Sequence, residues 1–230
     1  MTSFESLSSF ERFTPQFSQN DKRTITLLTQ ALSARMSEVN PRRFAHCKSV
    51  AQTAAYMAKV YQQNQTHAYI AGLLHDWDKI LSTPDQIEKA QHYGIDMAAP
   101  LEQTCHLLHG LTAACELHER FPELSDDIID AIRYHTVART NMSALDMIVF
   151  VADGIEPLRK PYPTLDAIRA SVGTQPLERV FFESFTSGLV YVLKTQRYLY
   201  PPSIQLYNHY IRTFAHVGNC LLYTSPSPRD

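Results

Sequence analysis

The chain has 230 residues, 44% hydrophobic and 19% charged, which is enough apolar side chain to fill a core and excludes collagen-like, mucin-like and disordered classes. Its 21 basic and 23 acidic residues leave a net charge of −2, so no global field favours nucleic acid or an anionic membrane, and any anion site must be local. Seven glycines, less than half the usual ~7%, disfavour a fold of tight turns or a Gly-rich phosphate loop and favour helices; ten histidines are the other departure. Cys47, Cys105, Cys115 and Cys220 form no CxxC pair, and neither a membrane-length apolar run nor a leader pattern is present. The expectation is a cytoplasmic protein without nucleic-acid or membrane partners.

Residues 1–20 are polar and Ser-rich and read as a flexible lead-in. From Asp21 to Ser37, Ile25, Leu28, Leu32 and Met36 recur at helical spacing. A second, alanine-rich helix is predicted from Pro41 to about Gln63, and a third, Thr66 to Lys79, carries AYIAGLLHDWDK. Thr83-Pro84-Asp85-Gln86 reads as a cap, a first-turn proline and a capping-box Gln, with Gly94 as the stop. Further helices fit 100–120, 125–134 and 143–160, with Ser125 and Ser143 as caps of the last two, and then 164–172, 176–197 and 202–217. With no repeat, linker or sustained period of two, one all-α domain, a helical bundle over 21–219, is the economical reading. Residues 220–230, CLLYTSPSPRD, lack a helical period and read as a disordered or non-native tail.

The informative feature is His75-Asp76 at the end of the apolar run AGLLHDWDK. Burying a carboxylate beside an imidazole costs several kcal/mol per ion unless positive charge compensates it, and a metal cation supplies that charge. His, Asp and Glu suit iron, manganese, zinc or magnesium. Further candidates are His46, His109, His135 and Asp153, in RRFAHCKSVA, TCHLLHGLTAA, IIDAIRYHT and MIVFVADGIEP. Spacings of 29, 33, 26 and 18 residues place about one on each successive helix, so a site closes only if the helices pack as a bundle. Each residue also has a plainer reading. A lone histidine on an apolar face is commonly a satisfied core residue, His135 suits a helix C-terminus, and Asp153 suits a cap or an ion pair with Arg159.

The ordered set His46, His75-Asp76, His109, His135 and Asp153 resembles the HD-domain metal-dependent phosphohydrolases. The words RRFAHCKSVAQTAAYMA, AYIAGLLHDWDK, LLHG, DAIRYHT and MSALDMIVFVADGIEPLR, spanning about 40–160, are similar to the YqeK-like branch of symmetrical diadenosine tetraphosphate hydrolases. The resemblance implies an HD-type helical bundle and two divalent or trivalent transition metals, iron first and manganese second. His46, His75, Asp76 and Asp153 would hold one metal, and Asp76 would bridge to a second held by His109 and His135. Two departures stand out. His135 is followed by Thr136-Val137-Ala138-Arg139 where the family has Thr-Thr-Gly, and Gly154 stands where it has a larger residue, commonly tyrosine.

Metals about 3.5–4 Å apart acidify a water toward hydroxide and clamp phosphoryl oxygens for in-line attack. Asp76 and Lys79 are the expected catalytic residues, Lys79 lying three positions beyond Asp76 on one helix face, although a solvated helix-end lysine is its plainer reading. Lys79, Thr136, Arg139 and Arg159 are the expected substrate contacts, Arg43 is a brace for a ligand carboxylate, and Trp77, Tyr134 and Tyr162 are candidates for base stacking. His67, His92, His106, His118, His209 and His216 are assigned no ligand role. The expected partner is a small-molecule dinucleoside polyphosphate, cleaved by attack of a metal-bound hydroxide, and a homodimer is compatible with the resemblance. Rival readings are an HD phosphohydrolase acting on a nucleotide monophosphate, a deoxynucleoside triphosphate or a cyclic nucleotide, and a metal-bound regulatory module without turnover.

Overall fold

The structure is a computed structural model that describes residues 13–217, so the expectation for 220–230 and most of that for the lead-in lie outside the described residues. In order, the helices are α1 (Gln19–Met36), α2 (Pro41–Val60), α3 (Gln65–Leu74), α4 (Thr83–His92), α5 (Leu101–Thr104), α6 (Leu108–Arg120), α7 (Asp126–Tyr134), α8 (Ala144–Ile155), α9 (Leu165–Ser171), α10 (Leu177–Lys194) and α11 (Pro201–Val217). A 3-10 turn, Cys105–Leu107, joins α5 to α6, and no strand occurs among the described residues. One apolar cluster runs from Leu28 of α1 to Phe214 of α11, which makes the fold an all-α bundle around a shared core.

Local chemistry sets the helix ends. Ser18 and Asp21 form a reciprocal capping box, so α1 starts at Gln19, two residues before the predicted Asp21. Phe13 and Phe17 ahead of it pack edge-on against Tyr56 and Tyr69, so this end of the expected lead-in lies against α2 and α3. At α4 the cap is Ser82, not Thr83, and its hydroxyl accepts from the Asp85 N–H. Gly94 follows α4 with φ +62°, a left-handed conformation that suits a helix stop.

The predicted helix over Thr66–Lys79 ends at Leu74. The next residues form successive i→i+3 turns, with Trp77 N bonded to Leu74 O, Lys79 N to Asp76 O and Leu81 N to Asp78 O. Side chains from elsewhere hold this stretch: Arg35 Nε donates to Trp77 O at 2.9 Å and Gln86 Nε2 to Asp78 O at 2.8 Å. Arg35 and Lys89 also reach the fully buried Asp78 at 2.6 and 2.7 Å, and both pair with Glu116. His75 and Asp76 therefore sit on a clamped turn. The predicted helix over 100–120 is likewise broken by the 3-10 turn, which frees the carbonyls of His106 and Leu107 for side-chain donors.

Helices α2 and α3 make the most extensive pairing, and both bury small residues: Ala51, Ala54, Ala55 and Ala58 on α2, and Ala68, Ala71 and Gly72 on α3. A Cβ on Gly72 would lie 3.0 Å from Ala51 Cα and 3.1 Å from Ala51 N and Val50 O, all backbone atoms that cannot step aside. Gly72→Ala should therefore destabilise the fold by about 1–3 kcal/mol in urea unfolding, and a change below ~0.5 kcal/mol, the usual size for an unconstrained surface site, would contradict this close approach.

Candidate metal centre

The bundle brings all six predicted ligand residues to one buried point. His46 projects from α2, His75 caps the C-terminus of α3 with Asp76 next to it, His109 opens α6, His135 caps α7 and Asp153 lies near the end of α8. The four histidines and Asp76 are between 0% and 8% exposed.

Asp76 organises the cluster. Its Oδ2 lies 3.3 Å from His75 Nε2 and 3.6 Å from His46 Nε2, while Oδ1 lies 3.1 Å from His109 Nε2 and 3.9 Å from His135 Nε2. One carboxylate thus faces two separate pairs of imidazoles. Asp153 Oδ1 completes the first set, 3.0 Å from His46 Nε2 and 3.6 Å from His75 Nε2. The resulting groups His46/His75/Asp76 and Asp76/His109/His135 each place their ligand atoms close enough to hold an ion.

Each imidazole is turned by its other nitrogen. Nδ1 of His75 contacts Gly72 O at 2.7 Å, that of His135 Ile132 O at 2.6 Å, that of His109 His106 O at 3.1 Å and that of His46 Glu156 Oε1 at 3.0 Å. Carbonyls and a carboxylate accept only, so Nδ1 of His46, His75 and His135 carries a proton, while Nδ1 of His109 lies between the His106 carbonyl and the Lys79 amine; in all four rings Nε2 faces the cluster. His46 Nε2 and His75 Nε2 are buried without a hydrogen-bond partner, although Asp153 Oδ1 is close to both. These orphaned nitrogens, aimed with two carboxylates at a common point, fit a metal ion, and so does the anchoring of every ring by a second contact.

Glu156 is a functional residue that the ligand pattern did not single out. It is 1% exposed and lies three residues beyond Asp153 at the end of the same apolar helix, and that i, i+3 carboxylate pair was the available signal. Gly110 is required for a different reason: a Cβ there would lie 2.9 Å from His135 Cε1 and Nδ1 and 3.0 Å from Ile132 O. Only a glycine after His109 lets α7 deliver His135.

The expected substrate contacts divide. Arg159 reaches the cluster, with Nε donating to Asp153 O at 2.6 Å and a terminal nitrogen on Asp153 Oδ1. Lys79 Nζ lies 3.4 Å from His106 O and 3.3 Å from His109 Nδ1. Although 75–80 is not α-helical, i→i+3 turns also bring residues three apart to one side. Arg139 corrects the expectation. Its guanidinium bonds Asp130 and the fully buried Asp146, each at 3.0 Å, and lies 4.1 Å from the Tyr134 ring, because a buried carboxylate demands a cation. Thr136 Oγ1 donates to Leu107 O at 3.2 Å and pins the loop to the start of α6. Trp77 is 0% exposed with its indole N–H on Glu116 at 2.8 Å, so it is core and unavailable for stacking. Tyr162 is half-buried, its hydroxyl donating to Gly154 O at 3.1 Å, and so stands beside Asp153. Ala138 adopts φ +53°, a left-handed strain that the family's glycine avoids.

The HD domain family profile matches residues 43–158, which is half of the chain and contains all six cluster residues. The chain belongs to the HD domain family. Within it, the chain is 29% identical over 179 residues to the symmetrical bis(5'-nucleosyl)-tetraphosphatase of Halalkalibacterium halodurans, covering 78% of this chain and 94% of the relative. It is 28% identical to the enzyme of the same name from Staphylococcus aureus, over 74% of this chain and 87% of the relative. A crystal structure from Clostridium acetobutylicum, described as a predicted HD superfamily hydrolase involved in NAD metabolism, superposes with a TM-score of 0.74 at 28% identity, covering 86% of this chain and 100% of that one. As an HD protein the chain holds a His/Asp cluster able to bind metal ions.

Electrostatics divide the cluster of the metal-free protein. Burial works against a charged His75, but Asp76 and Asp153 outweigh it and push its pKa up to about 10. Burial, then His75 and His109, push His135 down to about 3, and burial also lowers His109. His75 is therefore protonated at neutral pH, whereas His109 and His135 are neutral. Filling the His46/His75 pocket at pH 7.5 should release a proton and filling the other pocket none. Manganese titrated calorimetrically into His109→Ala protein in two buffers of different ionisation enthalpy checks this, and equal heats would contradict it. Independently, Gly110→Ala and Glu156→Gln should each weaken metal binding by about 10–100-fold in equilibrium dialysis.

Proposed function

We propose that the chain is a metal-dependent phosphohydrolase that splits diadenosine tetraphosphate symmetrically into two ADP, through an enzymatic unit spanning residues 21–219. The observation that carries this reading is the Asp76 carboxylate, each oxygen of which faces a different pair of imidazole Nε2 atoms. The relatives named symmetrical bis(5'-nucleosyl)-tetraphosphatase, each matched over at least 74% of this chain, supply the substrate.

His46, His75, Asp76 and Asp153 would hold one ion, and Asp76, His109 and His135 the second. Four imidazoles with two carboxylates suit iron, our first assignment, or manganese. When bound, such a pair supplies a nucleophile at neutral pH and polarises phosphoryl oxygens. In the overall reaction a water oxygen bonds to one of the two central phosphorus atoms and that atom's bond to the central bridging oxygen breaks, leaving ADP on each side. Asp76 and Lys79 are the catalytic residues in this reading. Arg159, fixed on Asp153, and Lys79, beside His109, neutralise the phosphate charge. Burial lowers the Lys79 pKa, with Asp76 and Asp153 opposing the effect and Arg43 and Arg159 adding to it, and the same poorly solvated setting strengthens the field that the protonated amine exerts. Tyr162 offers a half-buried ring beside Asp153 for a base.

No described helix is long and apolar enough to cross a membrane. A cytoplasmic setting accords with free Cys47, Cys105 and Cys115, and the net charge of −2 favours no nucleic-acid partner. Homodimerisation, checked by light scattering, belongs to the same reading.

Incubating protein purified without chelator with diadenosine tetraphosphate and resolving the nucleotides tests the reaction. ADP should be the sole product, chelation should abolish its formation, and Asp76→Asn or His109→Ala should lower the rate at least about 100-fold while the far-UV circular dichroism stays helical. Equal ATP and AMP, or an intact substrate alongside cleaved dATP or cyclic nucleotide, would overturn the assignment.

A further inference from the structure

Arg43 stands in the first turn of α2, where its N–H donates to the Asn40 cap at 3.0 Å. Its side chain crosses to the cluster, and Nη1 donates to Asp76 Oδ2 at 2.6 Å. That oxygen also faces His46 and His75. Arg159 ends in the same way on Asp153 Oδ1, the other carboxylate oxygen that faces those two rings. The two oxygens of the first pocket thus each carry an arginine, and the arginines' side chains are 29% and 35% exposed over carboxylates that are 3% and 23% exposed.

The other arginines around this region are committed to structure. Arg35 holds Trp77 O, Asp78 and Glu116; Arg139 holds Asp130 and Asp146; Arg169 holds Ile155 O and Glu156 O. Arg43 differs in giving one side-chain hydrogen bond from a planar fork of five N–H donors. Arginine and carboxylate frequently meet through two parallel bonds, and Arg43 gives only one. Anchored by a single Nη, the fork of Arg43 keeps an edge free on its accessible side, and two N–H groups in one plane match two phosphoryl oxygens.

We propose that Arg43 is a phosphate-binding residue of this site, paired with Arg159 so that each of the two pocket carboxylates presents one guanidinium to a polyphosphate. The inference rests on the phosphohydrolase reading above and adds to it a contact assigned by position to neither the metals nor the fold. It also replaces Arg139 as a phosphate ligand.

Manganese-loaded wild-type, Arg43→Lys and Arg43→Gln proteins should be compared by calorimetric titration with ADP and with inorganic triphosphate, alongside elemental analysis. The expected result is unchanged manganese content in both variants, affinity for both probes at least about tenfold weaker, and a KM for the hydrolysed nucleotide that rises more than kcat falls. Unchanged affinities overturn the proposal. So does a fall in affinity that tracks loss of manganese in both variants, which would make Arg43 a positioning residue only. Triphosphate binding that depends on Arg43 while ADP fails to bind would keep Arg43 as a phosphate ligand and remove the nucleotide assignment. A wild-type protein that binds neither probe overturns both.

Discussion

A carboxylate at 2% exposure, surrounded by apolar helices, cannot stay ionised without compensation, and the arrangement around Asp76 follows from that constraint. Burial raises the cost of its charge, yet His75 and His109 hold its pKa well below the usual carboxylate range. Because each oxygen faces a different pair of imidazoles, the compensating groups come from separate helices. Five chain segments meet at this point for that reason: the early turns of α2, the turn after α3, the start of α6, the end of α7 and the last turns of α8.

Delivering those groups requires helices that stop at the right place. The α3 helix yields to turns at His75, and side chains from α1 and α4 occupy the carbonyls of Trp77 and Asp78. A predominantly ionic clamp of Arg35, Lys89, Asp78 and Glu116 then fixes the stretch that carries His75 and Asp76. Before His109 the helix breaks again, and the exposed carbonyls of His106 and Leu107 orient His109 and the loop after His135. Helix termini, whose backbone groups lack partners along the chain, thus become the mounts for the imidazoles. The scarcity of glycine sharpens this picture, since Gly72 and Gly110 stand where helix backbones or a ligand ring approach too closely for a methyl group.

Much of this was legible in the sequence. The all-helical class followed from period and composition, and the order of His46, His75-Asp76, His109, His135 and Asp153 carried the resemblance to the HD family that the profile match bears out. The structure shows that those six residues meet. What stayed hidden depends on tertiary partners. An apolar helical run gives no sign that Arg35 and Gln86 will capture its last carbonyls, so the predicted helix ran on to Lys79. Arg139 looked like a phosphate ligand because nothing local reveals that Asp146 is fully buried and needs it. Trp77 is a stacking candidate on residue type alone, while its ring is enclosed and its N–H lies on Glu116, 39 positions away. Which oxygen of Asp76 faces which ring is a property of three dimensions only.

The candidate ligands span residues 46 to 153, with intervals of up to 33 residues, and neither the set His46, His75, Asp76 and Asp153 nor the set Asp76, His109 and His135 is complete on two helices alone. Neither set therefore exists in a partly folded chain, whose loops must close before the carboxylate and imidazoles meet. An ion bound there would favour only the finished bundle and add its binding free energy to that of folding. The set that includes Asp153 is complete only after α8 has docked, which ties the acquisition of this centre to a long-range step of folding rather than to any single helix pair.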